Sequence, residues 1–361
     1  MHWHWLHPLI ARPGEGVAFL ALAALVALAV DRLWGEPHVR WHPVVWMGKA
    51  LGTCGRWVAP QAPTGRDLKL FWLGALCWCA LAAIVLIVAA LLQGVALYAW
   101  GAPAEVCTVV VDVPGLGLEG ASAVVGVLRL LLGALLLGLL LKPLFALSLL
   151  LREVRAVEDA LARSLAEGRA RLAWLVSRDV AQLSAEQVRQ SAIESLAENL
   201  NDSVVAPLFW FAVAGLPGAA LYRLANTADA MWGYRGMRDG RCWEWAGKWA
   251  ARADDLLSWL PARITALLLA LAGRGVRPRA LVREARRTPS PNSGWPMAAM
   301  ALALGVRLTK PGVYQLHAQG RAPTAQDVRQ ARKIASKAAF SLTGIALIAI
   351  VFVVIQGAWH V

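Results

Sequence analysis

Glu194, Glu198 and Asp202 recur every four residues, a spacing that stacks three carboxylates along one face of an α-helix. Like charges so arranged repel unless a cation bridges them, and an all-oxygen donor set suits Mg2+, above all Mg2+ that shares its shell with nucleotide phosphates. The amides of Asn199 and Asn201 stand beside them. The same stripe is equally compatible with a solvated helix face paired to Arg178 or Arg189. A second group follows, with Arg223, Asn226 and Asp229 at three-residue spacing and then Tyr234 and Arg235. An amide and a carboxylate one turn apart can share a metal or orient an amine; helix capping with a local ion pair is the structural alternative. Arg238, Arg241, Lys248 and Arg252 are candidates for gripping anionic groups and serve equally well as membrane-surface anchors.

Two further strings bear on chemistry. Ser290-Pro291-Asn292-Ser293-Gly294-Trp295-Pro296 reads as a rigid turn opening a helix, with Pro296 in its first turn. Backbone N–H groups at such a start can cradle phosphate, although a purely structural turn fits the string as well, and it has neither the lysine nor the spacing of a P-loop. Asp31, Arg32, Gly35, Glu36, His42 and Pro43 form a compact polar turn after the first apolar run. His42 reads as a base, as a ligand, or as a hydrogen-bonding residue at a membrane rim.

The elements that must position these groups are apolar. Of 361 residues 58% are hydrophobic and 16% charged, which excludes a disordered chain and an ordinary soluble one and predicts an integral membrane protein. Residues 71–100, 124–151 and 339–359 meet the ~20-residue length of a membrane span, whereas residues 17–30 need extension. Residues 204–224 are interrupted by Pro207, Gly215, Pro217 and Gly218, and residues 256–272 carry Pro261 and Arg263. Broken helices survive at membrane depth only beside buried protein or a wet cavity, and ionisable groups there mark function by default. The predicted fold is an all-α polytopic bundle, one membrane domain over residues 1–361, with re-entrant or broken helices and a cytoplasmic helical insertion at 152–202. Within that insertion Ser184 and Gln187 have capping-box spacing.

Charge follows topology. The net charge of +13 sits in short loops rather than on one soluble basic face, which argues against nucleic acid. The loop 105–119 has no Lys or Arg, whereas 32–69, 152–189, 235–252, 274–287 and 307–337 are rich in them; the positive-inside rule puts the first outside and the others in the cytoplasm. Five scattered cysteines without CxxC spacing predict neither a disulfide framework nor a metal site. His2, His4 and His7 are an unspecific terminal group rather than a metal site, and the first apolar run has no cleavage-site pattern and is expected to be retained. No inverted repeat supports a transporter.

Several strings together resemble the CobD/CbiB family of cobalamin biosynthesis. They are Asp31-Arg32-Leu33-Trp34-Gly35-Glu36-Pro37 with His42-Pro43; Glu194-Ser195-Leu196-Ala197-Glu198-Asn199 through Asp202 and Ala206-Pro207-Leu208-Phe209; Tyr222-Arg223-Leu224-Ala225-Asn226-Thr227-Ala228-Asp229 with Gly233-Tyr234-Arg235; Ala250 to Asp255 with Trp259-Leu260-Pro261-Ala262-Arg263; and Ser290 to Met300. The resemblance spans most of the chain, and the order and number of its strings make it specific. It implies an inner-membrane, multi-pass adenosylcobinamide-phosphate synthase, its site facing the cytoplasm, which joins aminopropanol phosphate or a related amino alcohol to the free carboxylate of adenosylcobyric acid. ATP is then the activating co-substrate. On this reading Glu194, Glu198 and Asp202 hold Mg2+ and nucleotide with Asp229, and Asn226 orients the amine. Arg235, Arg252, Asp255, Arg263, Ser290, Asn292, Ser293, Gly294, Asp31 and His42 bind substrate. Other enzymes of corrinoid assembly are expected partners besides the bilayer. The chain departs from the family pattern at Glu36, where Asp is usual, over 238–244, and after Val306, where paired glycines give way to Leu308-Thr309-Lys310. The alternative is a non-catalytic inner-membrane paralogue resembling AmpE-type sensors. The enzyme reading requires Glu194, Glu198, Asp202, Asn226 and Asp229 to converge.

Overall fold

The computed structural model describes residues 13–63, 65–101 and 118–359; His2, His4, His7, Cys107 and most of the expected outer loop lie outside them. The described chain is helical, apart from two short hairpins: α1 (Pro13–Leu33), α2 (Pro43–Val58), α3 (Leu68–Gly101), α4 (Leu118–Leu141), α5 (Leu147–Arg163), α6 (Leu165–Leu172), α7 (Ala185–Leu200), α8 (Ala206–Trp232), β1 (Met237–Arg238), β2 (Arg241–Cys242), α9 (Lys248–Leu257), α10 (Trp259–Gly273), α11 (Pro278–Ala285), α12 (Gly294–Leu304), β3 (Leu308–Lys310), β4 (Tyr314–Leu316) and α13 (Ala325–Trp359). Among the described residues five helices are long and apolar enough to cross a membrane, six if α9 and α10, bent by 47°, count as one span. The protein is a polytopic helical membrane protein. The first apolar run reaches spanning length because α1 extends over 21 residues, about 30 Å at 1.5 Å per residue. Leu76, Ile87, Leu91 and Val95 on α3 are exposed, as befits a surface facing lipid.

The break expected in residues 204–224 falls at Ala214–Gly215, where α8 leaves helical dihedrals and Gly215 takes φ +65°. A side chain is disfavoured there on two counts, the left-handed backbone and the Gln93 amide that an added Cβ would strike. Gln93, buried in α3, accepts the freed N–H of Leu216 at 2.7 Å. A polar residue inside a long apolar span thus repairs the backbone of the broken helix.

One expectation changes in character. The 152–202 insertion reads as a helical pair with a polar outer face, yet α7 is buried on nearly all sides from Val188 to Leu200. It packs against α5, α6, α12, α13 and β3 and runs on into α8 through a π turn over Asn201–Val205. Small and apolar residues, Ala192, Ile193, Leu196 and Ala197, alternate with its acids and let neighbours close around it. The four described cysteines are free thiols, Cys79 exposed and Cys242 buried.

Candidate functional site

The stripe on α7 begins at a formed capping box: Ser184 Oγ accepts from Gln187 N at 3.2 Å and Gln187 Oε1 accepts from Ser184 N at 2.8 Å. Glu186, Gln190, Glu194 and Glu198 then rise along one face. At Asn201 the helix widens into the π turn, a local unwinding that recurs at functional sites and that re-aims Asp202. Two neighbours fix it. Arg223 Nη1 donates to Asp202 O at 3.0 Å and lies 3.4 Å from Ser203 Oγ. Asn201, itself buried, donates to Asp202 Oδ1 at 2.8 Å and accepts from Thr265 Oγ1 at 3.1 Å.

Around this turn the acids of separate elements meet. Glu198 lies in the field of Asp202, Glu194 and Asp229; Asp229 in that of Asp255 and Asp202; and Asp254 in that of Asp202, Asp229 and Asp255. Asn226 is the amide between them, reaching Asp202 and standing 3.5 Å from Asp254 Oδ1. Tyr222, fully buried, approaches Asp202 and shares a 3.1 Å hydrogen bond with Ser258 at the α9–α10 bend. Glu198, Asp202 and Asp229 thus lie within one another's fields, with Asn226 beside Asp202 and Glu194 joined to the group through Glu198. Glu198, Asp202, Asn226, Asp229, Asp254 and Asp255 are all partly rather than fully covered, so the acids keep an open side.

Cations face the acids without cancelling them. Arg178 Nη2 donates to Glu194 Oε2 at 2.6 Å, while Arg189, the other partner expected for the stripe, turns instead to Glu158 at 2.9 Å. Lys310 stands within electrostatic reach of Glu194 and Glu198, and Tyr314 faces the same pair. Burial, then the Glu194 and Glu198 charges, push the Tyr314 phenol above its ordinary range, so it stays protonated as a donor.

The front turn forms a second, buried knot. Lys142 Nζ sits 3.0 Å from Asp31 and 2.8 Å from Glu36. Asp31 also accepts the Ser148 N–H at 2.8 Å, and Glu36 stands 3.3 Å from His42 Nε2. Burial alone would raise the Glu36 carboxyl; the hydrogen bonds from His42 and Lys142 outweigh it and hold the group below its usual value. Arg223 lies in the fields of both Asp202 and Glu36 and so joins this knot to the central acids.

The remaining candidates divide. Arg263 is held between Trp259 and Trp295, 4.3 and 4.8 Å from their ring centroids, and donates to Asn292 Oδ1 at 2.9 Å. Asn292 Nδ2 donates to the Asp255 carbonyl at 2.7 Å, which ties the Ser290–Gly294 turn to α9. In that turn Ser290 Oγ accepts the N–H groups of Asn292 and Ser293, each at 3.2 Å, so two of the N–H groups expected to be open are already engaged. Gly294 packs against the Ala285 carbonyl, with no room for a Cβ. Arg235 is exposed and acts on Asp255 through its field, and Arg252 is exposed on α9. Lys142, Asp254, Lys310 and Tyr314 join the site without having been singled out as site residues. Two hollows flank it: one of about 310 Å³ bordered by Trp232, Tyr234, Arg238 and Arg241, and one of about 450 Å³ bordered by Glu153, Arg171, Trp174, Asn199 and Ser203.

Among the described residues no three His, Cys, Asp or Glu side chains are drawn together as a ready metal cage. The donors near the turn are nevertheless all oxygen, and Glu194 Oε1 is buried without a hydrogen-bond partner. That set fits a hard cation that takes one or two carboxylates and completes its shell with phosphate oxygens and water.

Fold and site together define a polytopic helical membrane protein with a polyacidic centre at a broken helix. The CobD/Cbib protein family model matches residues 24–343, and the chain belongs to that family. It is 38% identical over 300 residues to the probable cobalamin biosynthesis protein CobD of Methanothermobacter thermautotrophicus, covering 81% of this chain and 85% of that one. It is 36% identical over 356 residues to the cobalamin biosynthesis protein CobD of Chromobacterium violaceum, with coverage of 94% and 99%, and 39% identical over 319 residues to that of Stutzerimonas stutzeri, with coverage of 86% and 91%. No solved structure matches.

Proposed function

We propose that the protein acts in cobalamin biosynthesis as an ATP-dependent amide-forming ligase, joining an amino-alcohol phosphate such as aminopropanol phosphate to the free carboxylate of adenosylcobyric acid. The observation that supports it most is the mutual approach of Glu198, Asp202, Asp229 and Asp254, with Glu194 beside Glu198, Asn226 beside Asp202 and Asp254, and Arg223 beside Asp202. A carboxylate resists attack by an amine because its carbon is electron-rich and oxide is a poor leaving group. Transfer of a phosphoryl or adenylyl group from ATP makes a mixed anhydride; the amine nitrogen then forms the C–N bond, the phosphate or AMP departs with the oxygen, and a proton leaves the nitrogen.

Mg2+, where bound, neutralises nucleotide phosphates, with Glu198 and Asp202 as the ligands best placed at the open side of the turn. Asn226 orients the amine by its carbonyl, and Asp229 or Asp254 accepts the proton lost when the amide forms. Arg235 and Arg252 stand exposed toward incoming anions, while Arg263 and Asn292 brace α9. The polar turn faces the cytoplasm of an inner membrane by the distribution of basic loops. The intact polar centre favours this reading over a non-catalytic sensor. The test is to incubate the detergent-purified protein with adenosylcobyric acid, aminopropanol phosphate and Mg-ATP and to seek the amide by mass spectrometry. Absence of product from folded protein refutes it.

A further inference from the structure

The β3–β4 hairpin is laid along the acidic stripe of α7. Arg307 Nη2 donates to Glu186 Oε1 at 3.1 Å, and two residues on, Thr309 N donates to Gln190 Oε1 at 3.1 Å, four residues up the helix. Two strand residues and one helical turn advance by nearly the same length, so the hairpin's next residues arrive at Glu194 and Glu198. Register then selects the side chains. Leu308 pairs with Leu316 and Lys310 with Tyr314, and with a period of two these four share a face. Leu308 and Leu316 are fully buried, so this is the face turned to the protein. Tyr314 confirms it, its hydroxyl lying 3.6 Å from Met297 Sδ on α12.

Lys310 is thus a half-buried ammonium presented to two acids, yet among the described residues it makes no salt bridge with either. Arg178 beside it binds Glu194 through Nη2, while its Nη1 is buried and without a hydrogen-bond partner; Glu194, its side chain only 3% exposed, likewise leaves Oε1 unpartnered. Unmet donors and an unmet acceptor therefore face each other across one small patch. Buried groups of this kind require partners, and a molecule carrying both signs supplies them. We propose that Lys310, with Tyr314 and Arg178 Nη1, reads the phosphate of the small amine substrate, leaving its amine toward Glu194 and the Asn226 that orients it. Lys310 then selects a phosphorylated amine over the same amine without phosphate. This rests on the ligase reading above and adds to it the residue that sets amine specificity.

Calorimetry on the full-length protein in detergent separates the two. The probes are O-phosphoethanolamine, ethanolamine and inorganic phosphate, needing no turnover. Wild type should bind O-phosphoethanolamine more tightly than ethanolamine. Lys310→Met should weaken O-phosphoethanolamine roughly 10- to 100-fold, the loss of one charge-assisted contact, and leave ethanolamine within about twofold. Lys310→Arg should retain most of the preference, and Gln315→Ala, exposed on the neighbouring strand position, should retain all of it. An unchanged preference in Lys310→Met, or a wild type that does not discriminate or does not bind, overturns the inference. A protein that discriminates as stated but forms no amide refutes the ligase reading alone. One that forms amide equally fast from the phosphorylated and unphosphorylated amines refutes this inference alone.

Discussion

Lys142→Met removes the cation that contacts both Asp31 and Glu36, at 3.0 and 2.8 Å. Breaking a buried ion pair by deleting one partner costs about 3–5 kcal/mol, because the surviving charge is left uncompensated. Here Glu36 keeps His42 and Asp31 keeps the Ser148 N–H, which sets the cost near the lower end, about 3 kcal/mol. The double variant Asp31→Asn with Lys142→Met leaves the Ser148 N–H an acceptor but no orphan charge, and should recover about 2 kcal/mol. Titration of the protein in mild detergent with SDS, followed by tryptophan fluorescence, measures both. A cost below about 1 kcal/mol, or a double variant no more stable than the single one, would show that the knot is not a desolvated pair and refute this account of the front turn.

Glu198→Gln should lower amide formation by on the order of 10²-fold or more while the protein stays folded, and Lys69→Ala, exposed at the start of α3, should change little; product yield by mass spectrometry checks both. Gln93→Leu should destabilise by about 1–3 kcal/mol, since the buried N–H of Leu216 loses its acceptor, and the same SDS titration reads it. The depressed Glu36 carboxyl contributes stability that is fully present above its ordinary pKa of 4.5 and is lost as pH falls through the lower folded value. The stability difference between wild type and Glu36→Gln should therefore shrink on acidification below pH 4.5; a gap that stays constant would count against the pairing with Lys142 and His42.

What could be read from sequence depended on how far apart partners lie in the chain. The α7 stripe, its capping box and the break in α8 are local patterns, and each appears where spacing and Pro/Gly content place it. Burial of α7 was not legible, because its acids and Arg189 look like a solvated face until Lys310, Tyr314 and Arg223 arrive from elsewhere. Lys142 carries no local signal in the sequence, because its acids are more than a hundred residues away. The β3–β4 strands are three residues each, too short for alternation to distinguish them from loop. The Ser290–Gly294 turn shows the converse: its helix start is as expected, but Ser290 occupies the N–H groups that the string alone leaves open.

The charge balance of the central site leads to a last expectation. Six acids, Glu194, Glu198, Asp202, Asp229, Asp254 and Asp255, are answered by Arg178, Arg223, Arg235 and Lys310, and Arg235 is exposed and screened. Unbalanced negative charge at a protein-enclosed site favours a cationic occupant, yet no ready cage exists among the described residues. The ion must therefore bring oxygen ligands with it. Mg2+ alone should stabilise the protein weakly, whereas Mg-ATP at a hundredfold over its dissociation constant should add about 2.7 kcal/mol by linkage. Glu198→Gln should lose most of that gain. Thermal unfolding in detergent after EDTA treatment tests it: equal stabilisation by ATP with and without Mg2+ would mean that these acids serve the amine and not the nucleotide.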